Sequence, residues 1–424
     1  MTRRWPGPVW YWAVYDWAGS AYATTVATAL LPAYFAGVVA GNGLTLGRTV
    51  IPATSLWGYA VSLAAILVFV LAPGLGAMSD RGGGRKGFLM AFCLIGGAGA
   101  VLLSLTGPGD IAWALGLFVL AHVAFNAGNA FYDSYLPQIA PPQKRDQISS
   151  LGYAFGYLGG GLNLALALAL IQGHAWLGLS PAGAVRWGLA LAGIWWLGFA
   201  AVAFLGLPKS PGATVAREGL GTMVKAGFGQ AFSAGRLVWK DSNLRRFFLA
   251  YLLYNDGVQT VIAMAAIYGK EEIGLSDSVL VFTLLMVQAV AFGGALLFGR
   301  LGAAWGTKPA LALALAGWCG LALLGRLVGS AQEYLALGLG IGLALGGSQA
   351  LSRSLYSRLV PAGQSTVYFG FFSVLAKFSA ILGPLVFALV RQIYGSSRPA
   401  MAVLVLFFAG GLILLARVKE PDHA

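Results

Sequence analysis

The chain has 424 residues, 58% of them hydrophobic and only 10% charged, with a mean hydropathy of +0.77. Soluble domains carry about 25% charged residues, so this composition excludes an ordinary soluble enzyme or binding module. The formal net charge of +13 would suit nucleic acid only if the cations formed one soluble face, and their distribution along the chain is different; no nucleic-acid partner is expected.

A helix that crosses a bilayer needs ~20 mostly apolar residues. Twelve such stretches follow one another, at 10–38, 53–77, 87–107, 111–135, 148–172, 185–207, 246–268, 277–299, 309–329, 333–356, 366–390 and 399–418. They predict an all-α membrane protein of twelve transmembrane helices in two pseudo-symmetric bundles of six, 1–207 and 246–424, joined by a polar linker at 208–245. The first stretch contains Asp16 and Tyr22; it is too long for a signal-peptide core and is interrupted by Asp16, so it is expected to remain in the mature protein.

Between the second and third stretches lies Gly76-Ala77-Met78-Ser79-Asp80-Arg81-Gly82-Gly83-Gly84-Arg85-Lys86, the densest charge in the first half. The fourth stretch carries His122, Asn126 and Asn129 and ends at Asp133. The fifth presents Gly152, Gly156, Gly159, Gly160 and Gly161, a small-residue face of the kind that lets membrane helices approach closely, and then Asn163. The linker opens on a Pro-Gly breaker cluster. Leu220, Val224, Phe228 and Phe232 then recur every four residues among cations, which predicts an amphipathic interfacial helix. Beyond it come Asp256 and Gln259 in the seventh stretch, Gln288 in the eighth, Gln349 and Arg353 in the tenth, and Lys377 in the eleventh.

With the N-terminus inside, 20 of the 27 Lys and Arg fall on the inner side, 6 on the outer side, and Lys377 within a stretch. This is the positive-inside bias, and it places both termini in the cytoplasm. The two cysteines, Cys93 and Cys319, offer neither a disulfide framework nor metal-ligand spacing. Both are expected to be buried structural thiols; no metal and no cofactor are expected.

The halves echo each other. Gly299, Gly306 and Lys308 match Gly76, Gly83 and Arg85 at an offset of 223. Pro361 matches Pro141 at 220, which also sets Gln349 against Asn129 and Arg353-Ser354 against Asp133-Ser134. A parallel repeat of two six-helix bundles is the plan of major facilitator transporters, with a substrate site near the midplane.

The loop Gly76-x-x-x-Asp80-Arg81-x-Gly83-x-Arg85-Lys86 resembles the signature loop of that superfamily. Within it, Tyr15-Asp16-Trp17-Ala18-Gly19-Ser20-Ala21-Tyr22, the run from Gly152 to Gly161, Tyr254-Asn255-Asp256-Gly257-Val258-Gln259-Thr260 and Gln349-Ala350-Leu351-Ser352-Arg353-Ser354 are similar to the fungal vacuolar amino-acid effluxer family and its bacterial relatives. The resemblance implies transport, with export of amino acids as the family activity. That family's first-helix motif usually has Asn where this chain has Gly19, so any role of that side chain is absent here.

An ionisable residue in hydrocarbon costs roughly 2.5–3.5 kcal/mol on insertion scales and should face a cavity or a partner. Asp16, Asp256 and Lys377 are such residues: each carboxylate is a candidate for proton coupling or for a substrate ammonium, and Lys377 for a substrate carboxylate. Equally, Asp256 and Lys377 form a fixed pair. Tyr22, Asn126, Asn129, Asn163, Gln259 and Gln288 are candidate substrate contacts, or interhelical hydrogen bonds; His122 is expected to be packed. Asp133 and Arg353 either pair across the halves as an inner gate or anchor locally.

By resemblance, Asp80, with Arg81, Arg85 and Lys86 beside it, latches the N-terminus of the eleventh helix, where the dipole favours an anion. Ala303 and Ala304 stand at the matching positions of the second loop, so only the first loop is expected to make such a latch. Tyr15-Asp16, Gly107-Pro108-Gly109-Asp110 and Pro309-Ala310-Leu311 mimic an intramembrane aspartyl protease, but Asp110 falls at an outer end and cannot form a dyad with Asp16. No nucleotide loop is present. The expected protein is therefore not an enzyme. It is a monomeric, proton-coupled secondary transporter of a small polar solute in a prokaryotic inner membrane; import of sugars or other solutes, multidrug export, or a non-transporting receptor or lipid-handling role are the alternatives.

Overall fold

The computed structural model describes residues 7–41, 43–46, 49–51, parts of 53–68, 84–208, 235–236, 238–361, 365–379, 382–394 and 396–420. It is helical apart from a hairpin of β1 (Leu44–Leu46) and β2 (Thr49–Ile51), paired antiparallel with Thr45 opposite Val50. The helices are α1 (Gly7–Val39), α2 (Arg85–Leu103), α3 (Ile111–Asp133), α4 (Arg145–Gln172), α5 (Pro181–Gly206), α6 (Ser242–Glu272), α7 (Asp277–Trp305), α8 (Thr307–Gly325), α9 (Ala331–Leu359), α10 (Ser365–Phe378), α11 (Leu382–Tyr394) and α12 (Arg398–Ala416).

Among the described residues, nine helical segments are long and apolar enough to cross a membrane. Of the other three predicted stretches, the second lies largely outside the described residues. The seventh is α6, a helix of 31 residues with charged ends. The eleventh, expected as one span, is two helices, α10 and α11, with Ser379 in a turn after the first. Local sequence explains several helix starts. Asp241 caps α6, its carboxylate accepting the Asn243 and Leu244 amides at 2.8 and 3.1 Å. Ser330 and Glu333 form a reciprocal capping box on α9.

In α1 the backbone widens to i→i+5 bonding over Tyr22–Leu30, where the Leu31 amide reaches back to the Val26 carbonyl. Such π-helical turns are rare and concentrate at functional sites. The pattern of apolar periodicity gave no sign of it.

The described chain forms two compact units, residues 1–133 with 155–229, and residues 134–154 with 230–424. In the first unit α1 and α2 pack on α5, and α2 packs on α3. The α1–α4 contact bears out the predicted glycine face: a Cβ on Gly159 would lie 2.5 Å from the Trp17 carbonyl oxygen, and one on Gly160 would lie 2.6 Å from Thr24 Oγ1. In the second unit α7 packs along α9, and α12 lies against α6 and α8. The Trp318 and Phe408 rings stack there at 5.3 Å. Residues 145–154, the start of α4, belong to this unit. The linker helix predicted around Leu220–Phe232 lies outside the described residues.

Candidate functional site

In the first unit Asp16 sits where α1 meets α3 and α4. Its carboxylate accepts the Tyr132 hydroxyl at 3.1 Å and faces Ser20 Oγ at 3.5 Å. Tyr132 is fixed in turn: Trp12 stacks on it at 4.7 Å and donates its indole N–H to the Tyr132 carbonyl at 2.9 Å. Gly156 leaves the room this needs, since a Cβ there would lie 3.0 Å from Asp16 Oδ1.

Tyr22 is fully buried, with Phe125 and Trp196 rings both 5.3 Å away and His122 at 6.3 Å. Its hydroxyl has no hydrogen-bond partner. Asn163, on α4, is 0% exposed, and neither its amide nitrogen nor its amide oxygen has a partner. Burying an unpaired amide is costly, and Asn163 is unpartnered at both polar atoms. Asn126 is different: its amide donates to the His122 carbonyl one turn earlier at 2.7 Å. Asn129, Gln259 and Gln288 are half-buried. His122 packs on Phe118 at 5.1 Å. Asp110, of the protease-like motif, closes a local turn by accepting the Gly107 amide at 2.8 Å.

In the second unit Asp256 is 2% exposed, and its Oδ1 accepts the Gly383 amide at 2.8 Å. It therefore meets the first turn of α11; the Lys377 side chain lies outside the described residues, as do Asp80 and Arg81. Of the two cysteines, Cys93 is buried and Cys319 only partly so.

Three groups with strong geometry were missed from sequence. Asp146, on the first turn of α4, is wholly buried and accepts Ser354 Oγ at 2.6 Å, Thr307 Oγ1 at 2.9 Å and Arg358 Nη2 at 2.9 Å. Around it, Arg145 donates to the Ser357 carbonyl at 2.8 Å and Ser149 to the Ala350 carbonyl at 2.7 Å. Arg353 donates to Ser149, through Nε to the hydroxyl at 3.0 Å and Nη2 to the carbonyl at 2.6 Å, and lies 4.1 Å over the Tyr153 ring. The available signal was an acid in a helix first turn, amid a basic stretch with few acids.

The second missed group is Glu420. It caps α8, its two oxygens accepting the Thr307 and Lys308 amides at 3.1 and 3.0 Å. The start of α8 is thus engaged by two carboxylates, Glu420 at the backbone and Asp146 at the Thr307 hydroxyl. A helix N-terminus favours a nearby anion.

The third is a matched pair of lysines. Lys86, at the start of α2, donates to the Leu207 carbonyl after α5 at 2.9 Å. Lys308, at the start of α8, donates to the Ala416 and Val418 carbonyls at the end of α12, both at 2.8 Å. In each half the third helix of the six thus supplies a cation to the carbonyl end of the sixth, as the helix dipole favours. This sets Lys308 against Lys86 rather than Arg85, a register one residue from that read in the sequence. Arg85 itself is buried.

Helical spans arranged in this way, with carboxylates and amides inside them, define a membrane transporter of the major facilitator superfamily. Solved structures agree on the fold: the E. coli transporter FucP in the outward conformation superposes with a TM-score of 0.74 at 15% identity, over 97% of this chain and 98% of that one. The human organic anion transporter MFSD10 (TETRAN) gives 0.73 at 17%, over 96% and 98%. The chain belongs to the vacuole effluxer Atg22-like family, whose model matches residues 4–422. It is 27% identical to the uncharacterized MFS-type transporter YxiO of Bacillus subtilis, over 99% of this chain and 96% of that protein. It is 24% identical to autophagy-related protein 22 of Coccidioides immitis, over 82% of this chain and 69% of the relative. YxiO, FucP and MFSD10 are each named as transporters.

Proposed function

We propose that the protein exports a small polar solute, an amino acid or close relative, across a prokaryotic plasma membrane by alternating access coupled to protons. The observation that carries this reading is the buried Asn163 amide, unpartnered at both oxygen and nitrogen. An amide offers two donors and an acceptor, which complement the carboxylate and the ammonium of one zwitterion. The Tyr22 hydroxyl is a further donor. The effluxer name of the family supports an outward direction.

Asp16 is the carboxylate best suited to coupling. The hydroxyls of Tyr132 and Ser20 donate to it, and a hydroxyl can also accept, so both can follow a change in its protonation. Asp133 and Arg353 fall in different units, and their pairing as an inner gate remains part of the proposal; Asp133→Cys with Arg353→Cys is expected to crosslink under oxidation and halt transport.

A thermal-shift screen of the purified protein against amino acids, sugars and lipophilic drugs tests the substrate class, because a ligand of the native state stabilises it by mass action. Stabilisation by amino acids that disappears in Asn163→Ala supports the reading; stabilisation by sugars or drugs alone replaces it with one of the alternatives. Asp16→Asn is expected to abolish uptake of the identified ligand driven by a pH gradient in proteoliposomes while leaving exchange intact. Unchanged gradient-driven uptake would exclude Asp16 as the coupling group.

A further inference from the structure

A helix that begins inside an apolar layer exposes N–H groups for which no preceding turn supplies carbonyls, and lipid cannot satisfy them. Helix α11 begins in this way at Leu382, within a stretch whose sequence is mostly apolar. Pro384 has no N–H, which removes one donor at the first turn. The Gly383 amide is met by Asp256 Oδ1, from α6, at 2.8 Å. The approach depends on glycine: a Cβ on Gly383 would fall 1.9 Å from Thr260 Oγ1 and 2.9 Å from Asp256 Oδ1. Thr260 turns its hydroxyl away, onto the Asp256 carbonyl at 2.6 Å.

The preceding residue of α6 serves the other helix. Asn255 donates its amide to Ser379 Oγ, just past the end of α10, and its Oδ1 accepts Gln349 Nε2, from α9, at 3.1 Å. Ser379 Oγ in turn reaches the Ala376 carbonyl at 3.0 Å. Neighbouring residues on a helix project about 100° apart, so two adjacent side chains of α6 engage two elements, one at the end of α10 and one at the start of α11.

We infer that Asp256 is a positioning residue. It is the N-cap of α11, supplied from α6, and with Asn255 it fixes the ends of α10 and α11 on one point of α6. Its charge is offset by the helix terminus, so no cation is needed beside it. The coupling proton is assigned to Asp16 in the transport reading on which this inference rests, and Asp256 supports the path by holding geometry. Capping requires an oxygen acceptor rather than a charge, and asparagine caps as well as aspartate. Asp256→Asn should therefore rescue what Asp256→Ala loses.

Two ligand-free readouts on the full chain in nanodiscs test this, so their outcome does not depend on the substrate or on transport. In hydrogen–deuterium exchange, the Leu382 and Gly383 amides should exchange at least tenfold faster in Asp256→Ala, and within about threefold of the parent in Asp256→Asn. With spin labels on Phe371→Cys and Leu389→Cys, the α10–α11 distance distribution should broaden in Asp256→Ala and in Asn255→Ala but stay narrow in Asp256→Asn. If Asp256→Asn is as disturbed as Asp256→Ala, the charge matters and the inference fails. It fails equally if Asp256→Ala matches the parent in both readouts.

Discussion

Asp146→Ala is expected to cost about 3–5 kcal/mol, because removing one partner of a buried ion pair strands the other charge. Asp146 and Arg358 side chains are 0% and 4% exposed, and the Ser354 and Thr307 hydroxyls lose their acceptor in the same substitution. Asp146→Asn should cost less, since it retains an acceptor oxygen. The double variant Asp146→Leu with Arg358→Met should recover much of the loss, as apolar replacement of a buried pair is often neutral. Reversible unfolding in mixed micelles gives the four corners of the cycle; strictly additive single losses would mean that the pair is not the source of the effect. Because Thr307 opens α8 while Ser354 and Arg358 lie on α9, the same substitution should loosen the start of α4 from both helices. Faster alkylation of Ser150→Cys in the Asp146→Ala background would report it.

The second large effect is steric. Gly159→Ala would set a methyl 2.5 Å from the Trp17 carbonyl oxygen and 2.9 Å from the Trp17 Cα. Those are backbone atoms, so no rotamer change relieves the clash and α1 must part from α4. Overpacking costs typically 1–3 kcal/mol, occasionally more, and the rigid neighbour places this case at about 3 kcal/mol or above. Gly198→Ala is the control: nothing lies within 4 Å of its Cβ position on α5, and replacing a mid-helix glycine favours the helix by about 0.8–1 kcal/mol. Equal losses for the two would refute the close approach of α1 and α4. Since the same glycine face gives Asp16 its room at Gly156, Gly159→Ala is also expected to impair transport.

What was legible in the sequence follows from this contrast. The glycine face of the fifth stretch could be read because a helix repeats every 3.6 residues, so a run of small residues declares a shared side wherever the partner is. The neighbour of that side, Trp17 to Thr24 of α1, could not be read. Asp16, Tyr22, Asn163 and Asp256 stood out as polar groups in apolar surroundings, yet periodicity is silent on which would be satisfied. The Tyr22 hydroxyl and the Asn163 amide remain without hydrogen-bond partners, Asn126 turns back to its own helix, and Asp256 meets an amide 127 residues away. Asp146 was overlooked because an acid near a basic helix start is usually solvated.

The sequence by itself determined the class of molecule. Hydrocarbon thickness fixes how long an apolar run must be, and the two-fold echo of loops and polar positions fixes a repeated bundle. The tertiary structure alone decided that the eleventh stretch is two helices, that Glu420 and Asp146 meet the start of α8, and that Lys308 answers Lys86. These depend on how helices are rotated and which distant backbone groups come within 3 Å. Such choices are made by packing among residues far apart in the chain, where no local pattern records them.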